Sequence, residues 1–403
     1  VHPDAKNTHS LGQRILDRIR ENGAITFADF MEAALYDPVG GYYTSGRHHI
    51  GFAGDYFTSS TMSPAFGHTL ARLVPLVDEA LNRPGKFLII ELGAGKGLTA
   101  GQIIDALGKN HPELLDRVEY YCIERSTSAR EGGTGTWSLP VRAGTDNARI
   151  SLRRIRGTPP IEVENIDGIE PFYGLVFSNE FFDALPVHRV VMRDGGLREI
   201  MVTEREGKLA EIEAELSDPL VGEYFREEGV ELSTGQQAEV CLAAKEYMDK
   251  IAAILHRGLV VTIDYGYPSY ELYAPHRKRG TLMAYRRHKV VEDLYEHVGE
   301  QDLTAHVNFS SLVGWGRAAG IEPLAFTDQL RFFLDLGIHE VFAQMEAQSA
   351  DYADYQVSVQ AAKALIMPGG MGETFKVLVQ YKGIDEGAVE ALRSKISSKY
   401  SYG

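Results

Sequence analysis

Apolar and polar positions alternate along this chain with two periods, and a buried strand stands out in the run Phe87-Leu88-Ile89-Ile90, which carries one acid, Glu91, and then breaks into glycines at alternate positions, Gly93-Ala94-Gly95-Lys96-Gly97. Such a run, bounded by glycine, predicts a strand covered on both faces. The stretch after it, Leu98 to Leu107, places Ile103, Ile104 and Leu107 on one helical face. Further strands are expected at Val118 to Glu124, at Ile161-Glu162-Val163, at Leu175-Val176-Phe177 and at Leu259 to Asp264. A final pair is expected around Ala325-Phe326 and Phe375 to Val379. A helix carrying Val240, Ala243, Tyr247, Ile251 and Ile254 leads to the Leu259 strand and is expected to stop at Gly258. Strands alternating with helices predict an α/β fold with a doubly wound, mostly parallel sheet.

The chain ahead of this core predicts a helical N-terminal cap. Leu11, Ile15, Leu16 and Ile19 form a stripe stopped by Gly23, and Thr26 is an N-cap for a helix running through Ala34. The turn-rich, aromatic segment from Tyr36 to Thr58 suits either a packed surface loop or a lid over a ligand. Between the fourth and fifth strands, Val190-Val191-Met192, the turn Asp194-Gly195-Gly196, Ile200-Met201-Val202 and Leu209 to Leu216 predict an antiparallel insertion. The expected organisation is a cap and lid over 1–85 and a doubly wound domain over 86–382 with insertions at about 187–218 and 267–370. A charged C-terminal tail would occupy 383–403.

Strand, glycine turn and helix together cradle a ligand against backbone N–H groups. The dinucleotide pattern G-x-G-x-x-G fails at Leu98, and the phosphate loop fails because Gly97 follows Lys96. What stands is E-x-G-x-G-x-G, the pattern of the first motif of S-adenosyl-methionine (SAM) methyltransferases, with Glu91 suited to a cationic ligand rather than a pyrophosphate. An acid ending the second strand, Glu124, is the expected acceptor for ribose hydroxyls. The ends of the first, second, fourth and fifth strands bring Gly93-Ala94-Gly95, Glu124, Asn179-Glu180 and Asp264-Tyr265-Gly266 to one edge, where ligands of such sheets bind. Beside Asn179 and Glu180, the rings of Phe181 and Phe182 offer surface for a flat cation. Asp183 either caps a helix or contacts the ligand.

Composition narrows the partners. A formal charge of -15 argues against an electrostatic grip on nucleic acid or anionic membranes. The basic clusters at 276–279 and 286–289 are read as solvated surface. Only two cysteines occur, Cys122 within the second strand and Cys241, and neither they nor the histidines have metal-ligand spacing. No metal is therefore expected, and a reducing, cytoplasmic compartment is. No apolar run approaches the roughly 18 residues of a membrane helix, and the first ten residues resemble neither a signal peptide nor a transit peptide.

Six segments carry a family likeness. They are Gly54-Asp55-Tyr56-Phe57-Thr58, the Glu91–Gly97 loop, Asn179 through His188, Ile263-Asp264-Tyr265-Gly266-Tyr267, Gly299 through Val307 and Met371 through Leu378. Over roughly residues 11 to 380 the chain resembles the MidA-like family of SAM-dependent methyltransferases, which includes the mitochondrial arginine methyltransferase needed for respiratory complex I assembly. The resemblance implies a class I SAM-dependent methyltransferase fold, SAM as cofactor and protein arginine as acceptor, for instance on a complex I subunit. It carries over Gly93, Gly95 and Gly97 as the SAM loop. Glu91, Ala94, Glu124, Asp55, Thr58 and Asn179 join them as cofactor-binding candidates. Glu180, Asp183 and Asn179 are the catalytic candidates, with His188 and His306 as proton acceptors. The chain departs from the family pattern at Ser59-Ser60-Thr61, where a Pro-Glu pair is usual, and in the spacing of Gly132 to Pro160. The alternatives are a methyltransferase acting on protein glutamine or a small molecule, and a SAM-binding assembly factor without turnover. The compartment is the cytoplasm, or the mitochondrial matrix for a eukaryotic source; the oligomeric state is left open.

Overall fold

The computed structural model describes residues 10–45, 63–125, 161–163, 165–287, 289–348 and 352–402. They fall into two compact units. One comprises Val1–Tyr56, Asp183–Glu246 and Ser269–His306, the other Phe57–Phe182, Tyr247–Pro268 and Val307–Gly403.

The second unit is built on a sheet whose main strands are β1 (Phe87–Leu92), β2 (Val118–Ile123), β3 (Ile161–Val163), β4 (Phe172–Asn179), β5 (Leu255–Tyr267), β6 (Glu322–Asp328) and β7 (Phe375–Lys382). Their spatial order is β3-β2-β1-β4-β5-β7-β6, and the short strand Val307–Asn308 pairs with the end of β5. From β3 through β5 every pairing is parallel, while β7 runs antiparallel to both β5 and β6. The order reverses between β1 and β4, the place where doubly wound sheets open a crevice at the carboxyl ends of their strands. The central strands are covered on both faces: all six residues of β1 are buried. Phe87, Ile89, Phe177, Val261, Ile263 and Val377 share one core with Ile103, Ile104 and Leu107 from the helix Leu98–Asn110 and with Val74 and Val77 from the helix Leu73–Ala80.

At the opposite end of the strands the backbones approach unusually closely. A Cβ on Gly174 of β4 would lie 1.9 Å from the Leu88 carbonyl oxygen of β1, and one on Gly258 of β5 would lie 1.9 Å from the Gly174 carbonyl oxygen. Gly258 was expected to stop a helix. It lies inside β5 instead, where only a missing side chain lets β5 pair with β4. Val240 likewise departs from expectation: it ends the strand Gln237–Val240, opposite His188, and the helix is Leu242–Ile254.

In the first unit the helix Leu11–Asn22 buries Leu11, Ile15, Leu16 and Ile19, and Gly23 follows it at φ 86. Thr26 caps the helix Phe27–Tyr36 by accepting from the Asp29 N–H at 2.9 Å. The expected hairpin is present as His188–Arg193 and Gly196–Arg205, with Lys208–Ala214 added on one side and Gln237–Val240 on the other. Ile25–Thr26 also pairs with Gly196–Arg205, tying the N-terminal helices to this sheet. A separate three-stranded sheet joins Met283–Arg286 with Lys289–Val291 and Asp302–Thr304.

The units divide the chain differently from the expected boundaries. The helices Ala65–Ala71 and Leu73–Ala80 belong to the sheet unit, because Phe66, Leu70, Leu73 and Val74 complete its core. The second insertion ends at His306, since β6 and the helices around it return to that unit. The expected charged tail contains a helix, Glu386–Arg393, whose Val389 and Leu392 enter the core with Ile396. In the Tyr36 to Thr58 segment the described portion is packed: Tyr42 is buried, and Tyr43 Oη donates to Asp302 Oδ1 at 2.8 Å. The remainder, with Asp55 and Thr58, lies outside the described residues, as does Gly132 to Pro160.

The glycine contacts yield a test. Gly174→Ala is expected to destabilise the sheet unit by about 3 kcal/mol or more, in the range of severe overpacking. Gly85→Ala, where a Cβ would meet nothing within 4 Å, should change stability little. Urea unfolding of both variants checks this, and equal midpoints would contradict it.

Candidate functional site

The register of the parallel strands sets the site. Leu92 pairs with Ile123 on one side and Ser178 on the other, and Ile263 pairs with Asn179. The residues that follow, Gly93, Glu124, Glu180 and Asp264, therefore emerge in a row along one edge of the second unit.

The loop after β1 takes left-handed conformations at Gly93, Gly95 and Gly97, with φ of 67, 53 and 65 degrees. Residues with a Cβ adopt these values only with strain. The Gly93 and Ala94 N–H groups both donate to the Ile123 carbonyl, at 2.9 and 3.2 Å, and the Gly95 N–H donates to Glu124 Oε2 at 2.8 Å. Glu124, expected as a ribose acceptor, thus also fixes the loop itself. A Cβ on Gly95 would meet nothing within 4 Å, whereas one on Gly93 would lie 2.9 Å from Phe181 Cδ2. The helix Leu98–Asn110 then starts with Gly97 as N-cap and no side-chain cap. That arrangement leaves backbone N–H groups for a ligand.

Glu91 is placed differently from a residue lining an open crevice. It is 4% exposed, and its Oε2 accepts the Tyr120 hydroxyl at 2.8 Å. Burial raises its carboxyl to about 7, outweighing the bonds from Tyr120 and Thr99 that favour the charged form, and the Glu124 charge adds to the rise. It sits within the sheet, bonded to the neighbouring strand through Tyr120 and to the following helix through Thr99.

On the other side of the reversal, Asn179 ends β4 and Glu180 turns left-handed at φ 52. For a side chain larger than glycine this conformation persists only where the surroundings impose it. The Glu180 N–H donates to the Ile263 carbonyl at 3.1 Å, and Asn179 Nδ2 donates to Glu180 Oε1 at 3.0 Å. Among the described residues the buried Asn179 Oδ1 has no hydrogen-bond partner. Phe181 packs edge-to-face on Tyr247 at 4.9 Å between ring centroids, which holds it against Gly93. Phe182 is buried, so of the two rings proposed for a cation only Phe181 retains partial exposure. Asp264 was noted in sequence only as part of a strand end. It is fully buried and accepts from three backbone N–H groups.

The other catalytic candidates belong to the first unit. No helix starts at Asp183, which removes the capping reading; its Oδ2 accepts the Thr304 hydroxyl at 2.9 Å. Burial raises its carboxyl to about 6 against the Thr304 and backbone bonds. His188 Nδ1 lies 2.8 Å from the fully buried Glu199 Oε1. Burial pushes Glu199 up, but the His188 and Ser217 bonds bring it below the usual carboxylate value, so this histidine is engaged in an internal hydrogen bond. The His306 N–H donates to Thr281 Oγ1 at 3.0 Å.

Two measurements follow. The folded chain holds a proton on Glu91 between its ordinary 4.5 and about 7, where the unfolded chain has lost it. Stability from this group therefore falls as pH rises through that window, by roughly 3 kcal/mol in total. Comparing urea unfolding of Glu91→Gln with the native chain at pH 5 and pH 8 should show the balance moving toward the variant by about that amount; a pH-independent difference would contradict it. At Glu180, the left-handed backbone predicts that Glu180→Gly is more stable than Glu180→Ala, by up to about 1 kcal/mol. The reverse order would show that the conformation carries no strain.

Comparisons with known proteins give the family. A family profile described as "Putative S-adenosyl-L-methionine-dependent methyltransferase" matches residues 69–327. A crystal structure from Burkholderia thailandensis, bound to S-adenosyl-homocysteine, is 32% identical, with a TM-score of 0.79 over 93% of this chain and 92% of that one. A native structure from the same organism is 31% identical, with a TM-score of 0.75 over the same shares. Among curated relatives, the mitochondrial protein arginine methyltransferase NDUFAF7 of Bos taurus is 27% identical over 91% of this chain and 82% of its own. The Xenopus tropicalis protein of the same name is 25% identical over 93% and 86%. The strand order, with its antiparallel β7, is that of the class I methyltransferase fold, and the profile spans the glycine loop, Glu124, Glu180 and Asp264. The chain belongs to this family, the MidA-like methyltransferases that use S-adenosyl-methionine.

Proposed function

We propose that this methyltransferase modifies an arginine side chain of a partner protein, with Glu180 as the acid that orients it. The observation carrying the reading is Glu180 itself: a carboxylate held in a left-handed turn beside the glycine loop, buttressed by Asn179. The names of the curated relatives, protein arginine methyltransferases aligned over about nine-tenths of this chain, support it.

The residues present fit the cofactor. The open space at the Gly95 α-carbon is one a Cβ would fill, and Glu124 and the unpartnered Asn179 Oδ1 supply acceptors at the same edge. Gly93, Ala94, Gly95, Gly97, Glu124 and Asn179 would hold S-adenosyl-methionine. Glu91 would respond from beneath, since a nearby cation favours its charged form. When bound, the cofactor supplies an electrophilic methyl group.

The chain's own work is then on the acceptor. A guanidinium is protonated at neutral pH and offers no free lone pair. A carboxylate gripping two of its nitrogens concentrates charge there and leaves the third to attack. Glu180 takes this role, and the ring of Phe181 provides a flat apolar neighbour. The proton leaving the nitrogen passes to a carboxylate at the site. Asp183, in the other unit, is kept as the second acid on the family resemblance, and burial raises its carboxyl to about 6. His188 and His306 are secondary in this role, His188 because of its bond to Glu199. Following the family resemblance, the partner placed first is a respiratory complex I-type subunit, met in the matrix of a eukaryote or the cytoplasm of a bacterium.

The test uses methyl-labelled S-adenosyl-methionine and a lysate of the protein's own organism. Label is expected on arginine. Glu180→Gln should lower its rate of incorporation about a hundredfold or more while leaving S-adenosyl-homocysteine affinity by calorimetry nearly unchanged. Label on glutamine, or full activity in the variant, overturns the proposal.

A further inference from the structure

We infer that Asp264 is a positioning residue for the reaction, acting through the backbone of Glu180. The inference rests on the proposed role of Glu180 and goes beyond it by assigning the device that creates its conformation.

Glu180 carries the only left-handed non-glycine backbone among the described residues of the site edge. Nothing in its own side chain favours that conformation, unlike asparagine, whose short amide can bond locally. The cause lies one strand away. Asp264 Oδ2 accepts the N–H groups of Phe181 and Phe182, at 3.2 and 3.0 Å, and its Oδ1 accepts that of Tyr265 at 2.9 Å. The Ile263 carbonyl, immediately before it, takes the Glu180 N–H. Three successive N–H groups, those of Glu180, Phe181 and Phe182, are thereby gathered onto two consecutive residues of β5. The chain can converge in this way only by turning sharply at Glu180. Asp264 is fully buried, and these three backbone donors face its carboxyl oxygens. Its register partner across β5 and β7 is Lys376, a cationic residue on the neighbouring strand. All three of these carboxylate bonds go to backbone, which separates the part played by Asp264 from that of the groups that would touch substrate.

The amide of Asp264→Asn keeps the shape but replaces one acceptor oxygen by a donor facing backbone N–H groups. The turn should then relax and Glu180 should leave φ near 52. Four proteins test this: native, Asp264→Asn, Glu180→Gln and the double variant, each assayed for label transfer from methyl-labelled S-adenosyl-methionine into lysate protein. Asp264→Asn should slow transfer about ten- to a hundredfold, the scale of a misplaced reacting group. S-adenosyl-homocysteine affinity by calorimetry should fall much less than the transfer rate, since the Ile123 carbonyl and Glu124 still hold the glycine loop when the turn carrying Phe181 relaxes. Added to Glu180→Gln, the same change should cost less than about twofold, because a residue acting only through Glu180 has nothing left to act on. A crystal structure of Asp264→Asn should show the Glu180 φ altered. If Asp264→Asn does not fold, Asp264→Glu, which keeps the charge and displaces the turn, enters the same cycle. Multiplying losses in the double variant, or a full rate with φ unchanged, overturns the inference. Label on a residue other than arginine with a non-additive cycle instead overturns the acceptor assignment and leaves Asp264 in its role.

Discussion

The turn between β1 and its helix is the constraint on which the rest depends. Gly93, Gly95 and Gly97 bend the backbone through left-handed conformations that side chains disfavour, and neighbours then fix the bend from two directions. The end of β2 supplies the Ile123 carbonyl and the Glu124 carboxylate, and the turn after β4 supplies Phe181. The glycine-loop edge is therefore a property of three strands at once. Its spacing is only as good as the parallel register that delivers Leu92, Ile123 and Ser178 to the same level.

That edge concentrates arrangements that a fold selected for stability alone would avoid. Glu91 sits uncomfortably in a dry core, Glu180 holds a backbone conformation suited to glycine, and Asp264 is a carboxylate without solvent. Each is held by neighbours that leave it no alternative. The tightly packed opposite end, where Gly174 and Gly258 bring three strands together, supplies rigidity without bearing chemical groups. Strain and chemistry share one end of the sheet, and close packing occupies the other.

How much of this was legible in the sequence follows from how local each cause is. β1 and the centre of β5 are buried on both faces, so their apolar runs announced them; β2, buried on one face and partly exposed on the other, still reads as a strand from Val118 to Ile123, and the period-two hairpin around Asp194-Gly195-Gly196 was equally plain. Glu124 could be placed because it follows a strand next to a glycine loop. Val240 was misplaced because its spacing continues the helical pattern of Tyr247 and Ile251, while its backbone bonds go to His188 in a distant segment. Gly258 looked like a helix stop because close approach to Gly174 leaves no local trace. The apolar residues of the last helix, Val389 and Leu392, were hidden among lysines, arginines and serines. The conformation of Glu180 had no signal within reach, since its cause, Asp264, belongs to another strand.

β7 runs against its neighbours, and this has a consequence for how the protein can change. Because of its direction, the first residues of β7, not its last, stand level with the end of β5: Lys376 is opposite Asp264, and Phe375 opposite Tyr265. The segment arriving there, from the helix Tyr352–Leu365 through Met371–Thr374, reaches the working edge from late in the chain. The glycine loop and Glu124 come from early in it. The glycine loop with Glu124 and the far margin of the same edge are thus encoded by separate stretches of gene. Insertions or substitutions before β7 can reshape that margin over evolutionary time while the glycine loop keeps its spacing.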